Sequence, residues 1–204
     1  MRYTRLVADA DATAWLLIAV SAGGSSTLRV HSWRKLRSLG AFYIQSAVCL
    51  LPETRETTRA TARLASRVRR DGGSCRILTI AITDAAEEKE IVDAFSAERT
   101  DEYQEICSRT PAFEQEIESE RARGRATYTE VEESQADLER LQKWLRRVRE
   151  RDYFHASGRT DAEAAVARCA RLLEEFEAEA LAAEVADAPT KSAPHRGLRA
   201  VGEP

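Results

Sequence analysis

The first half of the chain alternates short apolar runs with amphipathic stretches, and the second half is amphipathic almost throughout. "WLLIAVS" (Trp15–Ser21) is an apolar run bounded by turn residues, the pattern of a buried strand. "AGGSST" follows as a flexible connection ending in residue types that cap helices. From Leu28 to Leu39 the spacing predicts a helix, with Leu28, Trp33, Leu36 and Leu39 on its apolar side and His31, Arg34 and Ser38 opposite. Gly40 stands where a helix end favours a left-handed residue. "AFYIQ" and "AVCLLP" predict two strands that turn near Gln45–Ser46. A second helix starts at Thr54 or Thr57, runs to about Arg70 and stops at "DGG", and "CRILTIAI" (Cys75–Ile82) reads as a fourth strand. The order β-α-β-β-α-β predicts an α+β fold with a ferredoxin-like domain over residues 14–83, both helices lying on one face of an antiparallel sheet.

Beyond Ile82 the pattern is helical. Ala85 to Phe95 and Asp101 to about Arg121 read as two acidic helices, parted near "SAERT" and bent at Pro111. "TYTE" (Thr127–Glu130) has the form of a capping box. Val131, Ser134, Leu138, Leu141, Leu145 and Val148 then alternate at spacings of three and four, a heptad-like seam. "DYFHASGRT" interrupts it, and Asp161 to Glu184 forms a last helix with Ala165, Cys169, Leu172, Phe176 and Ala180 on one side. Residues 84–185 are thus expected to be a helical region with an antiparallel hairpin over about 127–185, and Trp144, Tyr153 and Phe154 are expected in the hairpin core. Residues 1–13 read as a flexible leader and 186–204, with three prolines, as a disordered tail.

Composition narrows the function classes. With 43% hydrophobic and 32% charged residues, the 204-residue chain can fill a core beneath a large solvated surface. No run approaches the ~20 apolar residues of a membrane span, so no membrane partner and a cytoplasmic location are expected. Cys49, Cys75, Cys107 and Cys169 are widely spaced and are expected to be reduced and partly buried, forming neither a disulfide scaffold nor a zinc site.

Charge changes the picture most. The net charge of −3 hides ten basic residues against Glu53 and Glu56 between Thr27 and Arg70, then thirteen acids against three bases between Asp84 and Glu120. Arg55, Arg59, Arg63 and Arg67 recur every four residues, forming a stripe on the second helix. With Arg29, Arg34, Lys35 and Arg37 of the first helix they would form a basic surface suited to phosphates or another oxyanion. Two plainer readings stand beside this: a solvated arginine-rich face, and a basic face covered by the acidic helices or by a second copy.

The remaining chemistry is sparse. "AGGSST" lacks the lysine of a P-loop, His31 and His155 have no sequence partners, and Ser21 and Ser46 lie outside a nucleophile motif. Paired acids such as Glu87/Glu88 and Asp101/Glu102 sit in a generally acidic stretch. Neither catalytic residues, nor a metal site, nor a cofactor is expected.

"WLLIAVSAGGSSTLRVHSWRKLRSLGAFYIQSAVCLLP" resembles the N-terminal domain of the bacterial chromate-resistance protein ChrB. The resemblance rests on Trp15, Trp33, Arg34, Leu36, Leu39, Gly40, Ala41, Gln45 and the Leu50–Leu51–Pro52 end. "RTDEYQEI" and "DLERLQKWLRRVRERDYFHASGR" extend it to about Val185. It implies a chromate-responsive transcriptional regulator, with DNA as a candidate partner and chromate or another oxyanion as a candidate ligand. Residues implicated in chromate sensing lie in a second domain of full-length members, so a separate sensor chain or a homo-oligomer is expected. The βαββαβ core is also similar to CRISPR-adaptation nucleases, but Ser21 and Ala22 stand where their metal-binding aspartate is expected. The leading expectation is a non-enzymatic DNA-associated regulator. The alternatives are a protein–protein interaction or dimerisation module, and an oxyanion-binding protein in which a cysteine such as Cys49 reduces chromate.

Overall fold

The computed structural model describes residues 13–124 and 127–187. The proposed leader (apart from Thr13) and the tail beyond 187 lie outside the described residues. Nine elements follow in order: β1 (Trp15–Ser21), α1 (Ser26–Ser38), β2 (Phe42–Gln45), β3 (Val48–Pro52), α2 (Arg55–Arg70), β4 (Ser74–Ile80), α3 (Ala85–Ala122), α4 (Tyr128–Arg149) and α5 (Arg159–Asp187). The fold is α+β. Its four strands form an antiparallel sheet in the order β2-β3-β1-β4.

Strand alternation gives the sheet two buried faces. Leu16 and Ile18 of β1, Cys49 and Leu51 of β3 and Cys75 of β4 pack with Leu28, Leu36 and Leu39 from the α1 side and with Ala60, Leu64, Ala65 and Val68 of α2. Both helices therefore cover one face. Ser25 caps α1 by accepting from the Leu28 N–H. Thr54 and Thr57 cap α2 reciprocally, each side-chain oxygen accepting from the other's backbone N–H. At the end of β1 the chain crosses close to the α2–β4 turn, where a Cβ on Gly73 would stand 2.6 Å from the Ser21 carbonyl oxygen.

The opposite face carries Trp15 and Leu50, packed with Phe95 and, around them, Leu17, Phe42, Ile91, Val92, Tyr153 and Phe154. Trp15 is wholly buried and donates its indole N–H to Glu88 at 2.9 Å. A third core lies between the helices: Tyr103, Ile106, Phe113 and Ile117 of α3, Leu138, Leu145 and Val148 of α4, and Val166, Cys169, Leu173 and Phe176 of α5.

Three expectations need correction. The acidic segment is one 38-residue helix, α3, with no break at "SAERT" and with Pro111 inside it. Nothing there breaks a helix: Ser96 returns its hydroxyl to the Val92 carbonyl at 2.9 Å, and Arg99 is buried at 3% exposure between Glu98 and Glu102. Trp33 is half-exposed, and Ser32 occupies the buried side of α1 with Leu28 and Leu36. Tyr153 and Phe154 pack on the sheet, while Trp144 packs beside the α3–α4–α5 core. α4 and α5 pack on each other and on the second half of α3.

Among the described residues no helix is long and apolar enough to cross a membrane.

Candidate nucleic-acid interface

The basic residues reach the surface because α1 and α2 each bury a narrow stripe. α1 buries Leu28, Ser32 and Leu36; α2 buries Thr57, Ala60, Thr61, Leu64, Ala65 and Val68. Between these positions Arg29, Arg34, Lys35, Arg37, Arg55, Arg59, Arg63 and Arg67 are all exposed. The first helix ends with Lys35 and Arg37 in its last turn, where cations favour the negative end of the helix dipole.

Two of the eight carry an acid partner. Arg37 lies 3.8 Å from Glu98 and Arg67 lies 3.5 Å from Asp71. Arg37 also stands over the Trp33 ring, 5.9 Å from its centroid. Arg29, Arg34, Lys35, Arg55, Arg59 and Arg63 form no salt bridge among the described residues. The neighbouring Arg69, by contrast, is tied down structurally, donating to the Cys75 carbonyl at 2.8 Å.

The acidic helix does not cover this face. The first half of α3 packs through Ile91, Val92 and Phe95 on the far side of the sheet, against Trp15 and Leu50. Among the described residues its one ion pair to the eight candidates is Glu98–Arg37, at the C-terminal end of α1. There Gly40 takes φ +74°, and a Cβ on it would meet Arg99 Nη1 at 3.1 Å and Arg151 Cβ at 3.2 Å. Arg151 is itself held by Glu102 through two hydrogen bonds of 3.2 and 3.1 Å.

The thiols are chemically quiet. Cys49, Cys75 and Cys169 are buried and Cys107 half-buried, and all four are free. Burial pushes the Cys49 thiol up to about 12 and Cys169 to about 11, and raises Cys75 and Cys107, so each stays protonated. Among the described residues no three His, Cys, Asp or Glu side chains converge as a metal site would require.

Sequence reasoning missed a cleft beside the basic helix. It lies between α1, the β1–α1 loop and the β2–β3 hairpin, and it is lined by Ser32 and Tyr43 as well as Arg29 and Trp33. Ser32 carries no signal of burial in its own chemistry, and its place on the helix wheel is the only hint that sequence offers.

A family model described as "Protein ChrB, N-terminal" matches residues 29–187, most of the chain. No curated protein and no solved structure matches it. The chain belongs to the ChrB N-terminal family.

Proposed function

We propose that this member of the ChrB N-terminal family is a non-enzymatic, DNA-associated regulator in chromate resistance, and that α1 and α2 together present its phosphate-contacting surface. One observation carries the reading: six exposed cations on two helices of one sheet face have no acid partner among the described residues, while the acidic helix packs on the other face. Exposed arginines released from internal pairing are free to replace the counterions of a nucleic-acid backbone. Guanidinium groups suit phosphate oxygens through paired N–H donors.

The βαββαβ segment is read as ferredoxin-like. The central position of β1 and β3 in the order β2-β3-β1-β4, with both helices on one face, supports that topology. Such a sheet acts here as a platform that holds two basic helices side by side. A second copy or a separate sensor chain completes the proposed regulator, acting in the cytoplasm.

Reduction of chromate by a cysteine is the weaker reading. Cys49 lies in the core beneath α1 and α2, where burial holds its thiol in the unreactive protonated form.

The test is binding of the full chain to random and promoter-derived duplex DNA across a salt series, with the Arg55/Arg59/Arg63→Glu variant alongside. Affinity that falls steeply with salt and vanishes in the variant supports the reading. No binding at low salt overturns it and assigns the arginine stripe to a protein partner.

A further inference from the structure

The cleft beside α1 has the features of a ligand site that the phosphate-contact reading does not use. Its volume is about 670 Å³, within the range of small-molecule pockets. Val20, Leu36 and Ala47 give it an apolar floor, and Val30 and Trp33 stand at its mouth. These last two are large apolar groups, 43% and 50% exposed.

Two buried hydroxyls in the lining lack partners among the described residues. Ser32 is 3% exposed, and its Oγ makes no hydrogen bond. Tyr43 Oη is also shielded from solvent and unpaired. Buried polar groups are nearly always hydrogen-bonded, and both unpaired hydroxyls belong to residues that line this cleft, where a small side-chain rotation brings them to a ligand's oxygens. Burial pushes the Tyr43 hydroxyl up to about 12, which keeps its proton in place as a donor.

The charge of the lining defines the ligand's head group. Among the described residues Arg29 is its one cation, and no Asp or Glu lines the cleft. One guanidinium and two hydroxyls match a single carboxylate. A polyphosphate would need more positive charge, and an amine would meet repulsion.

We infer that this cleft binds a small organic monocarboxylate whose apolar body lies against Val20, Leu36 and Trp33 and whose carboxylate meets Arg29, Ser32 and Tyr43. Of the eight basic residues the cleft shares Arg29 alone, so carboxylate binding and phosphate contact overlap at that one guanidinium.

The test uses the full chain and three acids of different body, namely benzoate, 2-naphthoate and 4-methylpentanoate, each paired with its neutral primary amide. Calorimetry gives affinity, and the fluorescence change that is lost in a Trp33→Phe variant reports occupancy of the mouth. At least one acid is expected to bind saturably and about tenfold or more tighter than its amide, the size of a charge-assisted contact. Arg29→Gln should bring that acid and its amide level. Tyr43→Phe should weaken the acid about tenfold while leaving the melting temperature unchanged or higher, because the hydroxyl has no protein partner among the described residues. The inference is overturned if no acid out-binds its amide. It is equally overturned if Tyr43→Phe lowers stability without touching affinity.

Discussion

Tyr153 donates its hydroxyl to the Leu39 carbonyl at 2.8 Å across 114 residues of sequence. The α4–α5 link thereby closes the C-terminal end of α1, where helix carbonyls otherwise lack donors. Tyr153→Phe keeps the ring in its aromatic cluster and removes only this bond. We expect a loss of about 1 kcal/mol in urea denaturation, with DNA affinity unchanged.

The same link is pinned on its other side by Asp152. Its carboxylate accepts from Tyr103 Oη at 3.0 Å and from the Ala156 N–H at 2.8 Å. Asp152→Ala leaves both donors buried and unpaired, and should cost on the order of 3 kcal/mol. Asp152→Asn retains the shape and one acceptor, so it should cost clearly less. If the two variants unfold at the same urea concentration, the carboxylate is not the anchor.

Gly40 is required by both conformation and space: its φ is +74°, and a Cβ there would stand 3.1 and 3.2 Å from two arginine side chains. Gly40→Ala should destabilise by about 1–3 kcal/mol. Coupling to Arg151 should be small in an Arg151→Ala background, because the 3.2 Å contact is with Arg151 Cβ, which alanine keeps. A double-mutant cycle measures that coupling.

Alkaline pH should weaken the fold before it reaches the arginines. Burial pushes the Cys49 thiol up from 9.0 to about 12, and Tyr43 and Tyr153 from 10.0 to about 12. The unfolded chain ionises at Cys49 near pH 9 while the folded protein does not. The stability linked to this thiol is therefore complete below pH 9 and is lost as the pH climbs toward 12. Urea midpoints measured from about pH 8 to about 10.5 should fall, and Cys49→Ala should reduce the part of the slope that begins near 9, to which Cys75, Cys107 and Cys169 also contribute.

Within the basic surface, the unpaired cations should matter more than the paired ones. Arg59→Ala is expected to reduce the slope of log affinity against log salt by about 0.9, one released counterion. Arg67→Ala should change it less, because Asp71 already lies 3.5 Å away. Equal effects in the salt series would show that the Asp71 contact does not hold Arg67 back from the DNA.

The β-α-β-β-α-β half is legible in the sequence because its signals are local. Apolar runs end at Pro52 or at glycine turns, and Thr54 and Ser25 cap helices where their residue types suggest. The seam from Val131 to Val148 is equally plain, since one regular stripe faces the core shared with α3 and α5. Long-range packing is harder to read. Trp33 looks like core if α1 is given a broad apolar side, whereas the helix buries only a narrow stripe centred on Ser32. Ser96 and Thr100 suggest a break in α3 because such residues are common in loops, although Ser96 bonds back within its own helix. Tyr153 and Phe154 give no sign of facing the sheet, because that contact depends on where a link between two later helices happens to pass. For the proposed interface, exposure of all eight side chains follows from periodicity, but the pairing of Arg37 and Arg67 does not.

The continuity of α3 bears on how this protein can be divided. At about 1.5 Å per residue, its 38 residues span both the aromatic layer around Trp15 and the interhelical core around Phe113. A chain cut between Thr83 and Asp84 would strip Ile91, Val92 and Phe95 from the sheet and leave Trp15 and Leu50 uncovered. The sheet and the bundle are therefore not interchangeable modules: they share a spine, and a cut at its start would turn the aromatic face of the sheet from core into surface.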